Sequence, residues 1–278
     1  MGLVIRRLAI DDETLRALER HETIAHSIPR REVRDLRDAY VLYDARDPDP
    51  FWNRMVSVRW PAEAAAFDRR LNDALALFAL LSRTPHVWPS PVHSAPTDLV
   101  ARLLANGFGD VGTGHVMVLP DPGSVPLVQP AELGAGVTLS AIRTAEDALD
   151  GDLDDIGLVL AESFDAPATR GPELAADLRL TLDDERVLVT LARVDGEPAA
   201  VAKATTFDGF TYLSSIGTRA SFRGRGLAPL VTRHAIAAAG GASRWAYLGV
   251  WSGNQPALKV YERLGFATLG ESPDLLLE

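Results

Sequence analysis

Residues 216 to 228 read Ile216-Gly217-Thr218-Arg219-Ala220-Ser221-Phe222-Arg223-Gly224-Arg225-Gly226-Leu227-Ala228, and the fold turns on how this stretch is read. It joins an apolar strand to an alanine-rich helix through a loop of arginines and glycines. A helix start leaves backbone N–H groups without partners and carries partial positive charge, so an anion placed there gains hydrogen bonds and favourable dipole energy together. Gly224 and Gly226 let ligand oxygens approach the main chain, while Arg223 and Arg225 supply forked cationic donors suited to a pyrophosphate. Pro229 falls in the first helical turn, where proline is tolerated. A P-loop is excluded because no lysine follows in the required place, and the dinucleotide fingerprint fails because Gly226 is followed by Leu-Ala-Pro.

Downstream, Ala246 to Trp251 reads as a strand, and Ser252 to Phe266 as a helix that ends at a glycine stop and leads into a further strand. Asn254 is placed to cap that helix and Gly265 to end it. Tyr261 lies seven residues beyond Asn254, near the same helix face and roughly 10 Å along the axis, so both could serve one elongated ligand.

Taken together, R-G-R-G-L-A followed by N-x-x-A-L-x-x-Y-x-x-x-G-F resembles the GNAT family of N-acetyltransferases, whose first pattern is [QR]-x-x-G-x-[GA]. Arg223, Gly226 and Ala228 fill that pattern. The resemblance runs from near Val137 to the end of the chain and implies an acyl-CoA N-acyltransferase fold, an α/β structure with a mixed sheet. It also implies an acetyl-CoA site. The amides of Arg223, Gly224, Arg225, Gly226, Leu227 and Ala228 would hold the pyrophosphate, and the main chain at Ile216 and Thr218 would meet pantetheine and thioester. Asn254 would bind the cofactor, and Tyr261 would protonate the departing thiolate. The implied reaction uses acetyl-CoA as cosubstrate and no metal, and acetylates the primary amine of a small molecule or peptide by direct attack. A rival reading is a non-catalytic acyl-CoA-binding or sensing protein, supported by one departure from the family. Where many members carry a glutamate on the strand before the loop, this chain has Phe210-Thr-Tyr-Leu-Ser-Ser-Ile216. Candidates for the missing base are Asp208, Glu162, or water held by Ser214 and Ser215.

Composition narrows the class. The chain has 278 residues, 47% of them hydrophobic, which is ample for two domains. It has no cysteine, so disulfides, thiolate nucleophiles and Cys-based zinc sites are excluded. Net charge is −10, with Asp+Glu against Lys+Arg at 17 to 15 in residues 1–130 and 21 to 13 in residues 131–278. That balance argues against nonspecific nucleic-acid binding. With no signal-peptide core and no apolar run of membrane-spanning length, a cytoplasmic protein is expected, and a homodimer is compatible with it.

The remaining elements fall in order. Residues 1–45 read mostly as helix, Phe51 to Trp60 as a strand, 62–82 and Thr97 to Leu104 as helices, and His86 to Pro91 as a short strand. Residues 121–136 are rich in breakers and form a linker. Val137 to Ile142 starts a strand, and residues 154–165 place Ile156, Val159, Leu160 and Phe164 on one helical stripe. Residues 172–183 read as a further helix. Strands at Arg186 to Val194, Ala199 to Thr206 and Phe210 to Thr218 are joined by Asp-Gly turns, and Asp274 to Leu277 forms a last short strand. The acids Asp147, Asp150, Asp152, Asp154 and Asp155 surround a helix start, where they favour the dipole; selection of polycationic amines is the sharper alternative.

At an offset of 158 residues the halves repeat: Gly107, Phe108, Gly112 and Leu119 fall on Gly265, Phe266, Gly270 and Leu277, and Val58 on Ile216. Two tandem copies of one fold follow. The first copy lacks the proposed contacts, since the arginine loop falls on Ala65-Ala-Phe-Asp68, Asn254 on Pro96 and Tyr261 on Leu103. The expected division is a degenerate GNAT-like domain at 1–120, a linker at 121–136 and a catalytic domain at 137–278.

Overall fold

The computed structural model describes residues 8–167, 169–240 and 243–277. In chain order the elements are α1 (Asp12–Ser27), β1 (Glu32–Asp35), β2 (Tyr40–Tyr43), β3 (Arg54–Val56), α2 (Ala64–Leu80), β4 (His86–Trp88), α3 (Leu99–Ala105) and β5 (Phe108–Pro120). There follow β6 (Val137–Ile142), α4 (Asp152–Ser163), α5 (Arg170–Thr181), β7 (Val187–Val194), β8 (Glu197–Phe207), β9 (Phe210–Thr218), α6 (Leu227–Ala239), β10 (Trp245–Trp251), α7 (Gln255–Arg263) and β11 (Ala267–Leu277). Short 3-10 turns at Pro122–Ser124 and Pro130–Glu132 carry the breaker-rich linker.

Compactness does not follow covalent order. One unit comprises Met1–Met117, Gly249–Gln255 and Ala267–Glu278; the other comprises Val118–Leu248 and Pro256–Phe266. The last strand, expected with the second domain, lies in the first unit because β11 pairs antiparallel with β4, Leu275 opposite Val87. It also runs far beyond the expected Asp274 to Leu277.

In the first unit the strand order is β1-β2-β3-β4-β11-β5. β2 runs antiparallel to both β1 and β3, and β3 runs parallel to β4. Its core gathers Met55, Val58, Trp60, Phe67, Leu71, Phe78, Leu99 and Leu103 with Leu275 of β11. Two expectations fail here. Where residues 1–45 were expected mostly as helix, the described residues 8–45 hold one helix and then the β1–β2 hairpin, whose four-residue strands are too short to show a clear period. The expected strand from Phe51 to Trp60 shrinks to Arg54–Val56, because Pro50–Trp52 forms a 3-10 turn under an Asp49 cap and Ser57 takes φ +55°.

In the second unit the order is β10-β9-β8-β7-β6, antiparallel from β6 to β9 and parallel between β9 and β10. Both hairpin turns have the left-handed backbone that suits the strand twist, at Asp195-Gly196 (φ 51° and 86°) and Asp208-Gly209 (φ 46° and 80°). Helices cover both faces. Thr190 of β7 meets His234 of α6, and Gly217 of β9 faces Ser163 of α4. Thr190 pairs with Ala202 and Gly217 with Val201, and neighbouring residues on one strand point to opposite faces. Of the expected α4 stripe, Ile156 and Val159 are buried, but Phe164 is exposed because the helix ends at Ser163; Leu153 takes its place in the core.

Candidate functional site

The loop between β9 and α6 leaves its main chain open. Ala220–Phe222 makes one 3-10 turn, after which Gly224 and Gly226 adopt φ +77° and +76°, a conformation that penalises any side chain. Nothing lies within 4 Å of where a Cβ would sit at either glycine, so the loop surface is open above them. Helix α6 starts at Leu227 with no side chain capping it, leaving its first N–H groups for an outside acceptor. Arg223 and Arg225 are exposed, and neither forms an ion pair with a carboxylate among the described residues. The Arg223 Nε donates to the Thr218 carbonyl at 3.1 Å, and the Arg225 guanidinium lies 5.3 Å from the Phe222 ring centre. The site thus offers uncommitted cationic donors over an open main chain, which fits a diphosphate. A shallow cavity flanks the same helix start, bounded by Arg225, Leu227, Pro229 and the ion pair between Glu132 and Arg233.

The strand leading into the loop is bulged. Its register against β8 shifts between Val201 and Lys203, and Ser215 takes φ +52°. Ser214 pairs with Lys203 and Gly217 with Val201, two positions apart on β8, so the bulge brings Ser214 and Gly217 to one face. The β9–β10 ladder runs only from Phe210–Trp245 to Tyr212–Tyr247. Beyond it, Ile216 and Thr218 carry their main chain on into the loop. At Gly217 the helix comes very close, since an added Cβ would lie 2.6 Å from the Ser163 Oγ.

Tyr261 belongs to the same unit as the loop. Its ring is buried, packing edge-on against Phe266 at 5.9 Å, and burial pushes the phenol pKa up to about 12. It therefore stays protonated through the neutral range, as a proton donor must. Helix α7 ends as expected at Gly265 (φ +93°), with the Phe266 N–H bonded to the Tyr261 carbonyl. Asn254 directly precedes α7 and is exposed; it falls in the segment Gly249–Gln255, which clusters with the first unit, so the structure does not group it with the loop.

The proposed bases fare unequally. Glu162 is spent on Arg219, accepting from Nε at 2.8 Å and Nη2 at 3.2 Å, which ties α4 to the end of β9. Asp208 sits in the turn at the far end of β9 from the bulge. Most of the acidic run is also committed: Asp152 is buried and bound to Arg193 at 2.6 Å, Asp155 binds the same arginine at 2.5 Å, and Asp147 accepts from the Arg143 and Thr144 amides. Asp147, Asp150 and Asp154 of that run are exposed. Gly217, Ser163 and the Arg219–Glu162 pair were missed from sequence. A glycine inside a strand pattern was the available signal, since it often marks close approach by another element.

Residues 157–266 match the family model described as Acetyltransferase (GNAT) family. No curated protein matches the chain. Among solved structures, a GCN5-related N-acetyltransferase from Kribbella flavida is 21% identical with 96% of each chain covered and a TM-score of 0.68. A tandem GNAT protein from the clavulanic acid biosynthesis pathway is 15% identical, covering 98% of this chain and 97% of that one at a TM-score of 0.61. A functionally unknown conserved protein from Staphylococcus epidermidis ATCC 12228 is 12% identical, covering 87% and 91% at 0.63. The fold is that of the acyl-CoA N-acyltransferases, present in two tandem copies. Over residues 157–266 the chain is similar to the GNAT acetyltransferases.

Proposed function

We propose that this chain is an N-acetyltransferase that moves the acetyl group of acetyl-CoA to the primary amine of a small molecule or peptide by direct attack. The observation that carries this reading is the uncapped start of α6, with open glycines and two arginines that have no carboxylate partner among the described residues. The amides from Arg223 to Ala228 and the two guanidinium groups would hold the diphosphate. The main chain at Ile216 and Thr218 would align the pantetheine arm, and Asn254 would add a polar contact. When bound, the coenzyme supplies an activated thioester. Tyr261 holds a proton against loss at neutral pH and would deliver it to the leaving sulfur, a role typically worth ~10²- to 10⁴-fold.

The test is calorimetric titration with acetyl-CoA, followed by thiol release across a panel of amines. Binding with turnover is expected. Binding without turnover on any amine would point to an acyl-CoA sensor, and a chain that ignores acetyl-CoA would remove the reading altogether.

A further inference from the structure

Deprotonation of the acceptor lacks an evident agent. No carboxylate lies on β9, Glu162 is neutralised by Arg219, and Asp208 stands six residues from Ser214, roughly 20 Å along an extended strand. What the bulge does present is hydroxyl groups. The Ser163 Oγ and Ser214 Oγ are both shielded from solvent and without a hydrogen-bond partner among the described residues. A buried hydroxyl left unbonded is destabilising, so two of them on facing elements call for an explanation. Their placement is specific: the bulge turns Ser214 to the α4 side, and the close packing at Gly217 presses Ser163 against the same strand. The charged groups facing this spot are Lys203, the cross-strand partner of Ser214, and the Arg219–Glu162 pair.

We propose that Ser163 and Ser214 are positioning residues that hold one shared water, and that this water takes the acceptor's proton in place of a protein carboxylate. The inference rests on the acetyl-transfer reading above. A bound ammonium gives one proton to the shared water, which hands a proton on to bulk solvent. The freed nitrogen lone pair forms the C–N bond, the C–S bond breaks with its electron pair on sulfur, Tyr261 gives its proton to that sulfur, and the nitrogen's second proton leaves to solvent while Tyr261 regains one. The net products are amide, thiol and one released proton. Lys203 supports the arrangement, since a nearby cation disfavours the ammonium form of the acceptor.

Ser163→Ala, Ser214→Ala and the double variant test this by steady-state kinetics, alongside titration with acetyl-CoA alone. Because both hydroxyls hold one water, each single change should lower kcat by ~10- to 100-fold, and the double variant by little more than either. Acetyl-CoA affinity should stay within twofold, and Ser214→Thr should recover most of the rate. The acid limb of kcat/KM in the wild-type chain should follow the pKa of the amine used, moving between a weakly and a strongly basic acceptor. A limb fixed at one pH for both amines, or alanine variants that turn over like the wild type, would overturn the proposal. Failure of the wild type to bind acetyl-CoA would instead strike the acetyl-transfer reading on which it rests.

Discussion

Two helix starts occupy equivalent places in the repeat and meet the same physical problem in opposite ways. At α2, the Glu63 carboxylate folds back to accept from the Ala65 and Ala66 amides at 2.9 and 2.6 Å, so the first unit satisfies its own helix. At α6, Gly226 has no side chain to offer and the donors stay available. The strand before each helix shows the same divergence. A serine of positive φ stands at the same offset in both, Ser57 at +55° and Ser215 at +52°, so the backbone kink is shared. Two residues later the copies part. Arg59 lies 3.6 Å from Glu19 and 3.2 Å from Asp12, closing the gap between β3 and α1 with an ion-paired side chain. Its counterpart Gly217 carries nothing, and α4 comes down against bare backbone. The frame of the fold is therefore neutral as to ligand. On the proposed reading, ligand competence lies at the helix start, which the first unit fills from within and the second leaves to an outside acceptor.

The largest effect should come from removing what the second unit has and the first lacks. Arg223→Ala with Arg225→Ala should weaken acetyl-CoA binding by at least ~100-fold in calorimetry, since each charge-assisted hydrogen bond is worth roughly 1.5–3 kcal/mol. Unchanged affinity would mean that the loop is only a turn. Tyr261→Phe should lower kcat by ~10²- to 10⁴-fold with affinity unchanged. Because its phenol is pushed up to about 12, an alkaline limb due to Tyr261 belongs above pH ~10; a limb below that would implicate another group. Gly217→Ala forces a methyl group to within 2.6 Å of the Ser163 Oγ, and overpacking of this kind costs about 1–3 kcal/mol, read as a fall in Tm. The smallest effect falls in the first unit. Glu63→Gln should lower Tm by only a few °C, roughly what loss of a helix cap does, and leave turnover untouched. Hydrogen bonds from Ala65 and Ala66 hold the Glu63 carboxyl below the usual range. Its contribution is thus present above the unfolded carboxylate pKa and is lost as pH falls through the lower folded value, so wild type and variant should converge in Tm in acid.

Much of this contrast was legible in the residues themselves. The Arg-Gly loop, the Asn254-to-Gly265 helix and the strand from Val137 to Ile142 announce themselves through glycine placement and periodicity, which are local signals. The loss of the phosphate loop from the first copy could also be read, because Asp68 and Phe67 stand where glycine and arginine are needed. What escaped depends on distant partners. The β1–β2 hairpin has strands too short to show a period, and Phe164 looked like a stripe residue until the end of α4 left it outside. Glu162 looked like an available base, and only the folded chain brings Arg219 onto it, 57 positions away. The reach of β11 and its membership in the first unit follow from pairing with β4, a contact across nearly 190 positions that no local pattern encodes.

The most direct test of unequal twin units is the stoichiometry of acetyl-CoA binding to the whole chain, by titration calorimetry with protein and ligand concentrations known independently. One molecule per chain is expected, lost in the Arg223→Ala/Arg225→Ala variant and retained in Glu63→Gln. Two molecules per chain, or one that survives loss of both arginines, would contradict the account.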